Sequence, residues 1–229
     1  MPRRHNTGLG SINPPTIAGF AIVGAITIAC LSMALFLRHG LPVGTESSAR
    51  MAFLLAHPLA WKMGWASWML SAIGLLLFCC LLLEYIPASP WRSCGIALVA
   101  IGIAPDISAE LIYAVVLPRL AAHGAVEAFE LLEFIATQLT GVLGNGAYCL
   151  GGLVLNLLML RNAALPRVLV WVGIPAWMLG LDLSGAVFGQ WMNAAAVLTA
   201  ASMAWSLMWM FTVTLRVFRF PARYRVEAG

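Results

Sequence analysis

Two carboxyl groups lie one helical turn apart in a strongly apolar segment of this chain. In residues 101–113, IGIAPDISAELIY, Asp106 and Glu110 are four positions apart, and Tyr113 follows three positions later. On a helix this spacing puts all three side chains on one face. A charge at membrane depth costs about 2.5–3.5 kcal/mol on insertion scales, so each carboxyl group must be protonated, paired or in contact with water. Because ionisable residues inside membrane segments usually mark a function, this face is a candidate site.

A second aspartate, Asp182, lies in another apolar segment at a depth similar to that of Asp106. A proline precedes each aspartate in its segment: Pro105 directly before Asp106, and Pro175 two helical turns before Asp182. Each proline removes a helical hydrogen bond and leaves a carbonyl oxygen free. One carboxylic acid that donates a proton and one carboxylate that accepts it can isomerise or cyclise a lipophilic substrate such as a terpenoid. The pattern therefore predicts that Asp106 and Asp182 form a catalytic acid and base pair.

Polar residues of a further apolar segment are expected to share this site. The stretch from Glu133 to Asn156 carries small and polar residues at helical spacing, and its glycines allow neighbouring helices to approach closely. Asn145 and Tyr148 in this stretch are less easily explained by packing alone. The residues predicted to bind and orient a ligand around the two aspartates are Glu110, Tyr113, Glu133, Asn145 and Tyr148.

Residue spacing gives little support to metal or cofactor chemistry. The five cysteines form no CxxC pair, and the histidines belong to no HxxxH or HxxE pattern. Haem between helices would need a histidine in a predicted span, and a retinal Schiff base would need a lysine there. The predicted spans contain neither residue, so we expect no metal and no cofactor. The basic residues are spread over loop ends without a soluble domain, which argues against a nucleic-acid partner.

The elements that carry these residues are membrane helices. The chain of 229 residues is 62% apolar and 10% charged, with a mean hydropathy of +0.91, too apolar for the surface of a soluble protein. Continuous runs without period-two alternation predict an all-α bundle of six transmembrane helices in one domain, residues 1–229. The runs, each long enough to cross about 30 Å of hydrocarbon, are near residues 17–37, 65–86, 93–117, 134–160, 166–187 and 191–215.

Basic residues define the predicted orientation. Nine of the thirteen arginines and lysines flank the chain ends and the loops on their side, and four lie on the opposite side. By the positive-inside rule both termini are cytoplasmic, which predicts a multi-pass protein of the cell membrane, as in a bacterial inner membrane. The basic tail, residues 218–229, is expected to contact anionic lipid headgroups. Tryptophans are predicted to form a belt at the outer interface, namely Trp61, Trp65, Trp68 and Trp191.

The longest loop, residues 38–61, is predicted to contain a short amphipathic helix on the outer surface. Its apolar face is expected to consist of Ala49, Ala52, Phe53 and Ala56. This helix would cap the bundle on the side where the acidic residues concentrate.

The charge balance on that outer side permits other interpretations of function. Seven carboxylates there face four basic residues, so some carboxyl groups must share protons or bind a cation. This pattern is also compatible with a small transporter or binding protein for a cation or protonated amine, or with a non-catalytic subunit of a membrane complex. A closed apolar pocket ending at Asp106 favours lipid chemistry, a continuous wet path favours transport, and tight packing around every carboxylate favours the subunit.

Overall fold

The computed structural model describes residues 13–163 and 165–219, and these residues form helices and no strands. Six helical spans are long and apolar enough to cross a membrane, which confirms the predicted all-α class and the number of spans. The spans are Pro14–Leu35, Pro58–Leu83, Pro90–Ala122, Val126–Arg161, Arg167–Phe188 and Met192–Phe218. The basic tail predicted at 218–229 lies outside the described residues from position 220 onward.

Nine α-helices make up the described part of the chain, because two spans are divided and one short helix lies in a loop. In chain order they are α1 (Pro14–Leu35), α2 (Ser47–Ala56), α3 (Pro58–Leu83), α4 (Pro90–Leu111), α5 (Leu117–Ala122), α6 (Val126–Gln138), α7 (Asn145–Arg161), α8 (Arg167–Phe188) and α9 (Met192–Val213). A 3₁₀ turn at Leu37–Gly40 follows α1.

Three spans contain a π-helical segment, in which each turn holds one extra residue and the side chains beyond it are rotated. Such segments are rare and occur often at functional sites. They are Ile112–Val116 between α4 and α5, Leu139–Gly144 between α6 and α7, and Thr214–Phe218 after α9.

Capping residues and prolines set several helix starts. The side chain of Asn13 accepts a hydrogen bond from the backbone N–H of Thr16 (3.1 Å), and Ser89 accepts one from Arg92 (3.2 Å). A proline stands in the first turn of α1, α3 and α4, where its missing N–H costs no hydrogen bond. The second span therefore begins at Pro58, earlier than the predicted residue 65.

The six spans are arranged as a ring in chain order. Each span packs against the spans before and after it in the sequence, and α1 packs against α9 to close the ring. Because successive spans run in opposite directions, residues 13 and 219 lie at the same end, which we call the terminal face. The other end carries α2 and is called the α2 face.

Glycines bring the third and fourth spans into backbone contact. A Cβ atom added to Gly102 would lie 2.6 Å from the carbonyl oxygen of Gly144, and one added to Gly151 would lie 2.5 Å from that of Gly95. Small residues at such an interface allow close helix approach and strong dispersion contacts. This contact holds the acidic face of α4 directly against α7 and the π-helical segment before it.

Two hydrophobic clusters fill most of the ring. The first includes Phe78, Trp177 and Trp209, and the second, toward the α2 face, includes Trp61 and Tyr113. The predicted belt is therefore wrong for Trp61 and Trp65, which are buried inside the second cluster, whereas Trp191 is exposed.

The short helix predicted in the longest loop is present as α2. Of its predicted apolar face, Phe53 packs against the second cluster, but the prediction is wrong for the three alanines. Arg50, Met51 and Leu54 are buried, whereas Ala49, Ala52 and Ala56 are exposed. Larger apolar side chains bury more surface than alanine, and Arg50 turns inward because it finds a carboxylate partner there, as described below.

Candidate binding cavity

A cavity of about 70 Å³ lies at the centre of the ring and is lined by residues from all six spans. The volume exceeds the roughly 10–15 Å³ that one water molecule needs and is far below the about 300–1,000 Å³ that encloses a drug-sized ligand. It can hold a compact chemical group. The lining residues are Ile26, Trp68, Ser71, Ala72, Leu75, Asp106, Asn145, Tyr148, Cys149, Ala176, Trp177, Gly180, Ser202, Met203, Ser206, Trp209 and Met210.

The cavity is deep inside the spans. At about 1.5 Å per residue, Asp106 is roughly 24 Å from the start of α4 at the terminal face. Trp68 and Ser202 are each roughly 15 Å from the start of their helices at the α2 face. A molecule in the cavity would thus lie at hydrocarbon depth, in a space that is partly open rather than fully enclosed.

Asp106 is the single charged residue among those that line the cavity. Its side chain is 6% exposed, and its Oδ1 accepts a hydrogen bond from the hydroxyl of Thr140. Thr140 reaches it from the π-helical segment Leu139–Gly144, which lies against α4 at Gly144. The other carboxyl oxygen of Asp106 makes no hydrogen bond with a described residue, so a bound molecule can use it.

Tyr148 and Asn145 line the cavity beside Asp106, as the sequence predicts, but their polar groups differ in availability. The hydroxyl of the half-buried Tyr148 makes no hydrogen bond with any residue of the described ranges. Asn145 is fully engaged: its amide nitrogen donates to the carbonyl of Gly180 and to the hydroxyl of Ser184 (2.8 Å). Its oxygen accepts from the thiol of Cys149 (3.6 Å). We therefore interpret Asn145 as a structural residue whose hydrogen bonds connect the fourth and fifth spans.

Glu110 is the most deeply buried carboxyl group near Asp106, with 1% of its surface exposed. Its Oε2 has no hydrogen-bond partner among the described residues, and neither have the indole N–H groups of Trp65 and Trp68 on the facing helix α3. Glu110 itself does not line the cavity. Buried polar atoms are rarely left without partners, and the indole N–H of Trp177, which lines the cavity from α8, is likewise without one among the described residues.

Glu133 and Tyr113 lie elsewhere, beneath α2. Glu133 is 3% exposed and receives two hydrogen bonds from Arg50, Nε to Oε1 at 3.1 Å and Nη2 to Oε2 at 2.5 Å. Arg50 also donates to the carbonyl of Thr45, and its guanidinium lies 5.9 Å from the ring centroid of Phe129. This carboxylate is saturated by its own chain.

Tyr113 is held by three contacts at the π-helical segment Ile112–Val116. Its hydroxyl is 2.7 Å from Oγ1 of Thr137, its ring stacks on Trp65 with centroids 4.3 Å apart, and its carbonyl accepts from the indole N–H of Trp61 at 2.7 Å. Neither Tyr113 nor Glu133 lines the central cavity. Glu133 instead lines a second, more open cavity of about 160 Å³ together with Glu130 and Thr137, and Tyr113 belongs to the second hydrophobic cluster.

Asp182 is not brought to the cavity. Its side chain is exposed on the outside of the ring, because the face of α8 that packs inward is formed by other residues, among them Trp177, Gly180 and Ser184. The expected acid and base pair of Asp106 and Asp182 is thus not formed. The prediction matched the depth of the two aspartates but not their direction around the helix axis.

Aromatic residues of the site were missed by the sequence analysis. Trp68, Trp177 and Trp209 line the cavity, whereas the sequence predicts Trp68 at the outer interface. A signal was present, because Trp61, Trp65 and Trp68 are spaced by four and three positions and so form one helical stripe. Such a stripe faces one direction, toward the ring, whereas a membrane belt needs no angular alignment.

Comparison of the chain with protein-family models, curated proteins and solved structures finds no match. Within residues 13–163 and 165–219, no group of three or more histidine, cysteine, aspartate or glutamate side chains is arranged to hold a metal ion. Function must therefore be argued from the cavity itself.

Proposed function

We propose that this chain is a multi-pass protein of the cell membrane whose central cavity binds a small lipophilic or cationic ligand. The observation that carries the proposal is that all six spans contribute to a cavity in which Asp106 is the single charged lining residue. Protein interiors are normally packed as densely as organic crystals. A cavity that exposes a carboxyl group at membrane depth therefore supports the presence of a bound molecule.

The lining divides naturally between a polar and an apolar part of such a ligand. Asp106, Tyr148 and the hydroxyl groups of three serines, Ser71, Ser202 and Ser206, can hydrogen-bond a polar group. Tryptophan, methionine, leucine and alanine side chains cover the rest of the wall and would contact an apolar body. A few convergent polar groups in an apolar wall are typical of small-molecule sites.

Binding is better supported than catalysis by a pair of carboxyl groups. An acid/base isomerase or cyclase of a lipid needs both groups at the substrate, and the exposed Asp182 lies outside the cavity. Glu110 is one turn from Asp106 on α4 but does not line the cavity either. A purely structural accessory subunit is disfavoured by the incomplete pairing of Asp106 and Glu110.

The orientation of the chain belongs to the same proposal. Nine basic residues are assigned to the side of the terminal face and four to the side of the α2 face. The positive-inside rule then makes the terminal face cytoplasmic, with the α2 face on the other side of the membrane.

The proposal is tested by filling the cavity and analysing the small molecules that co-purify with the protein. Ser206 lines the cavity on α9, and Ser206→Phe would occupy its space. Ala204 is exposed on the same helix, so Ala204→Phe is the matched control. Extracts of the three purified proteins are compared by mass spectrometry.

We expect at least one species that is retained by the wild type and by Ala204→Phe and is lost from Ser206→Phe. An identical set of small molecules in all three folded proteins would contradict the proposal, because occupancy would then be independent of the cavity.

A further inference from the structure

The wall of the central cavity contains four aromatic residues. Trp68, Tyr148, Trp177 and Trp209 line it from four different spans. The rings of Trp177 and Trp209 meet edge to face, with centroids 5.7 Å apart and an interplanar angle of 75°. The indole N–H of Trp209 donates to the carbonyl of Leu169 (2.9 Å), which holds this ring in place. Four aromatic side chains thus converge on a space that fits only a compact group.

The charge of the cavity has one sign. Asp106 lines it, and no lysine, arginine or histidine of the described residues does. Arg50 forms its ion pair with Glu133 beneath α2, and no lysine, arginine or histidine of the described residues pairs with Asp106. An anionic ligand would be repelled, and a neutral ligand would leave any charge on Asp106 uncompensated.

Aromatic faces combined with one carboxylate are the features that recognise an organic ammonium ion. The ring quadrupole attracts a cation, most strongly for tryptophan and when water is excluded, and aromatic cages of this kind bind methylated ammonium groups. A hard metal ion instead prefers several oxygen ligands, and the lining offers one carboxyl group. Methyl groups on nitrogen also remove the need for several hydrogen-bond acceptors.

On these grounds we propose that the cavity binds the methylated ammonium group of a small organic cation, with Asp106 as counter-charge and Trp68, Tyr148, Trp177 and Trp209 as the aromatic wall. The inference rests on the proposed function, because it names the ligand class of the same cavity. Thr140 positions the carboxyl group through its hydrogen bond to Oδ1.

The test compares choline with its uncharged isostere 3,3-dimethylbutan-1-ol, which replaces the quaternary nitrogen by carbon and keeps the shape. Isothermal titration calorimetry on the purified full-length protein in detergent measures both. We expect choline to bind the wild type at least tenfold more tightly than the isostere, and Asp106→Asn to weaken choline binding at least tenfold.

Matched variants separate the role of the cavity from general damage. Asp182→Asn removes an exposed carboxyl group of another span and should leave choline affinity unchanged. Trp68→Phe keeps an aromatic face and should retain most of the affinity, whereas Trp68→Leu should lose it. The indole N–H of Trp68 has no partner among the described residues, so neither change breaks a hydrogen bond.

The outcomes distinguish this inference from the function on which it rests. Equal affinities of choline and its isostere would overturn the ammonium assignment and leave a cavity for neutral ligands. Failure of both to bind, while Ser206→Phe still displaces a co-purified molecule, would also overturn it without affecting the proposed function. Failure of both together with unchanged co-purified molecules would overturn the two proposals.

Discussion

The carboxyl groups of Glu133 and Asp106 lie in the same ring of helices but differ in their cation and hydrogen-bond partners. Glu133, beneath α2, has both oxygens bonded to Arg50, whose guanidinium is itself held by Thr45 and Phe129. Asp106, in the central cavity, receives one hydroxyl hydrogen bond and no cation from residues 13–163 and 165–219. A carboxylate that its own chain neutralises serves packing, whereas one that is left without a counter-charge is available to a ligand.

The comparison also shows how α2 contributes to the molecule. This short helix is held by more than apolar contacts, because its buried residues include Arg50 as well as Met51 and Leu54. The pair that Arg50 makes with Glu133 joins the loop between the first two spans to the start of the fourth span.

The largest expected effect on stability comes from breaking the ion pair between Arg50 and Glu133. Arg50→Ala leaves Glu133 buried without a cation, which should lower the free energy of unfolding by about 3–5 kcal/mol. Denaturation by sodium dodecyl sulfate in mixed micelles, followed by circular dichroism, measures the change. Arg38→Ala removes an exposed arginine from the same loop and should cost less than about 0.5 kcal/mol. Similar losses for the two variants would show that the ion pair is not decisive.

A smaller loss is expected from separating the third and fourth spans, which carry Asp106 and Tyr148 to the cavity. Gly102→Ala places a Cβ 2.6 Å from the carbonyl oxygen of Gly144 and 2.7 Å from the backbone nitrogen of Tyr148. Because backbone atoms cannot move aside locally, overpacking should cost about 1–3 kcal/mol and also reduce ligand retention.

Gly185→Ala is the control for that change, since nothing lies within 4 Å of its added Cβ. Alanine in a helix interior is favoured over glycine by about 0.5–1 kcal/mol, so this variant should be neutral or slightly more stable. The same unfolding assay compares the two alanine variants, and equal stability would refute the close backbone contact.

The smallest expected effect on stability comes from the central cavity, where Asp106 has no cation partner among the described residues. Thr140→Val removes the hydroxyl that donates to Asp106 and should cost about 1.5 kcal/mol, the low end of the range for a hydrogen bond to a charged group, because the half-buried hydroxyl is replaced by an apolar group of the same shape. Thr212→Val removes an exposed hydroxyl that bonds only within its own helix and should change stability by less than about 0.5 kcal/mol.

For Thr140→Val the readout beyond stability is ligand affinity. Because the carboxyl group of Asp106 loses its orientation but keeps its charge, choline affinity should fall less than in Asp106→Asn. An affinity lost completely in Thr140→Val, at unchanged folding, would contradict the role of Asp106 as the principal counter-charge.

The sequence predicts those residues of the site that stand out as polar within an apolar helix. Asp106 and Tyr148 were identified from intramembrane polarity, and both line the cavity. Glu110 was identified by the same rule and lies buried one turn away. The π-helical segment that brings Thr140 to Asp106 could not be foreseen, because it depends on an extra residue in one turn, and the chain gives no local sign of it.

Pairings between distant segments were beyond the sequence analysis. Arg50 and Glu133 are 83 positions apart, and each was counted as a separate charge near a helix end. Asp182 and Asp106 have similar depth, yet one faces outward and the other inward. Depth follows from counting residues along a helix, whereas direction depends on which neighbours the helix packs against.

Local composition was thus sufficient for the helical class and the six spans, since uninterrupted apolar length and the cost of bare backbone in lipid leave no other solution. Closure of the spans into a ring settles the rest: which tryptophans turn inward, which carboxylate receives an arginine and which is left facing a cavity. These outcomes depend on contacts between segments far apart in the chain, and such contacts exist only once the helices have packed.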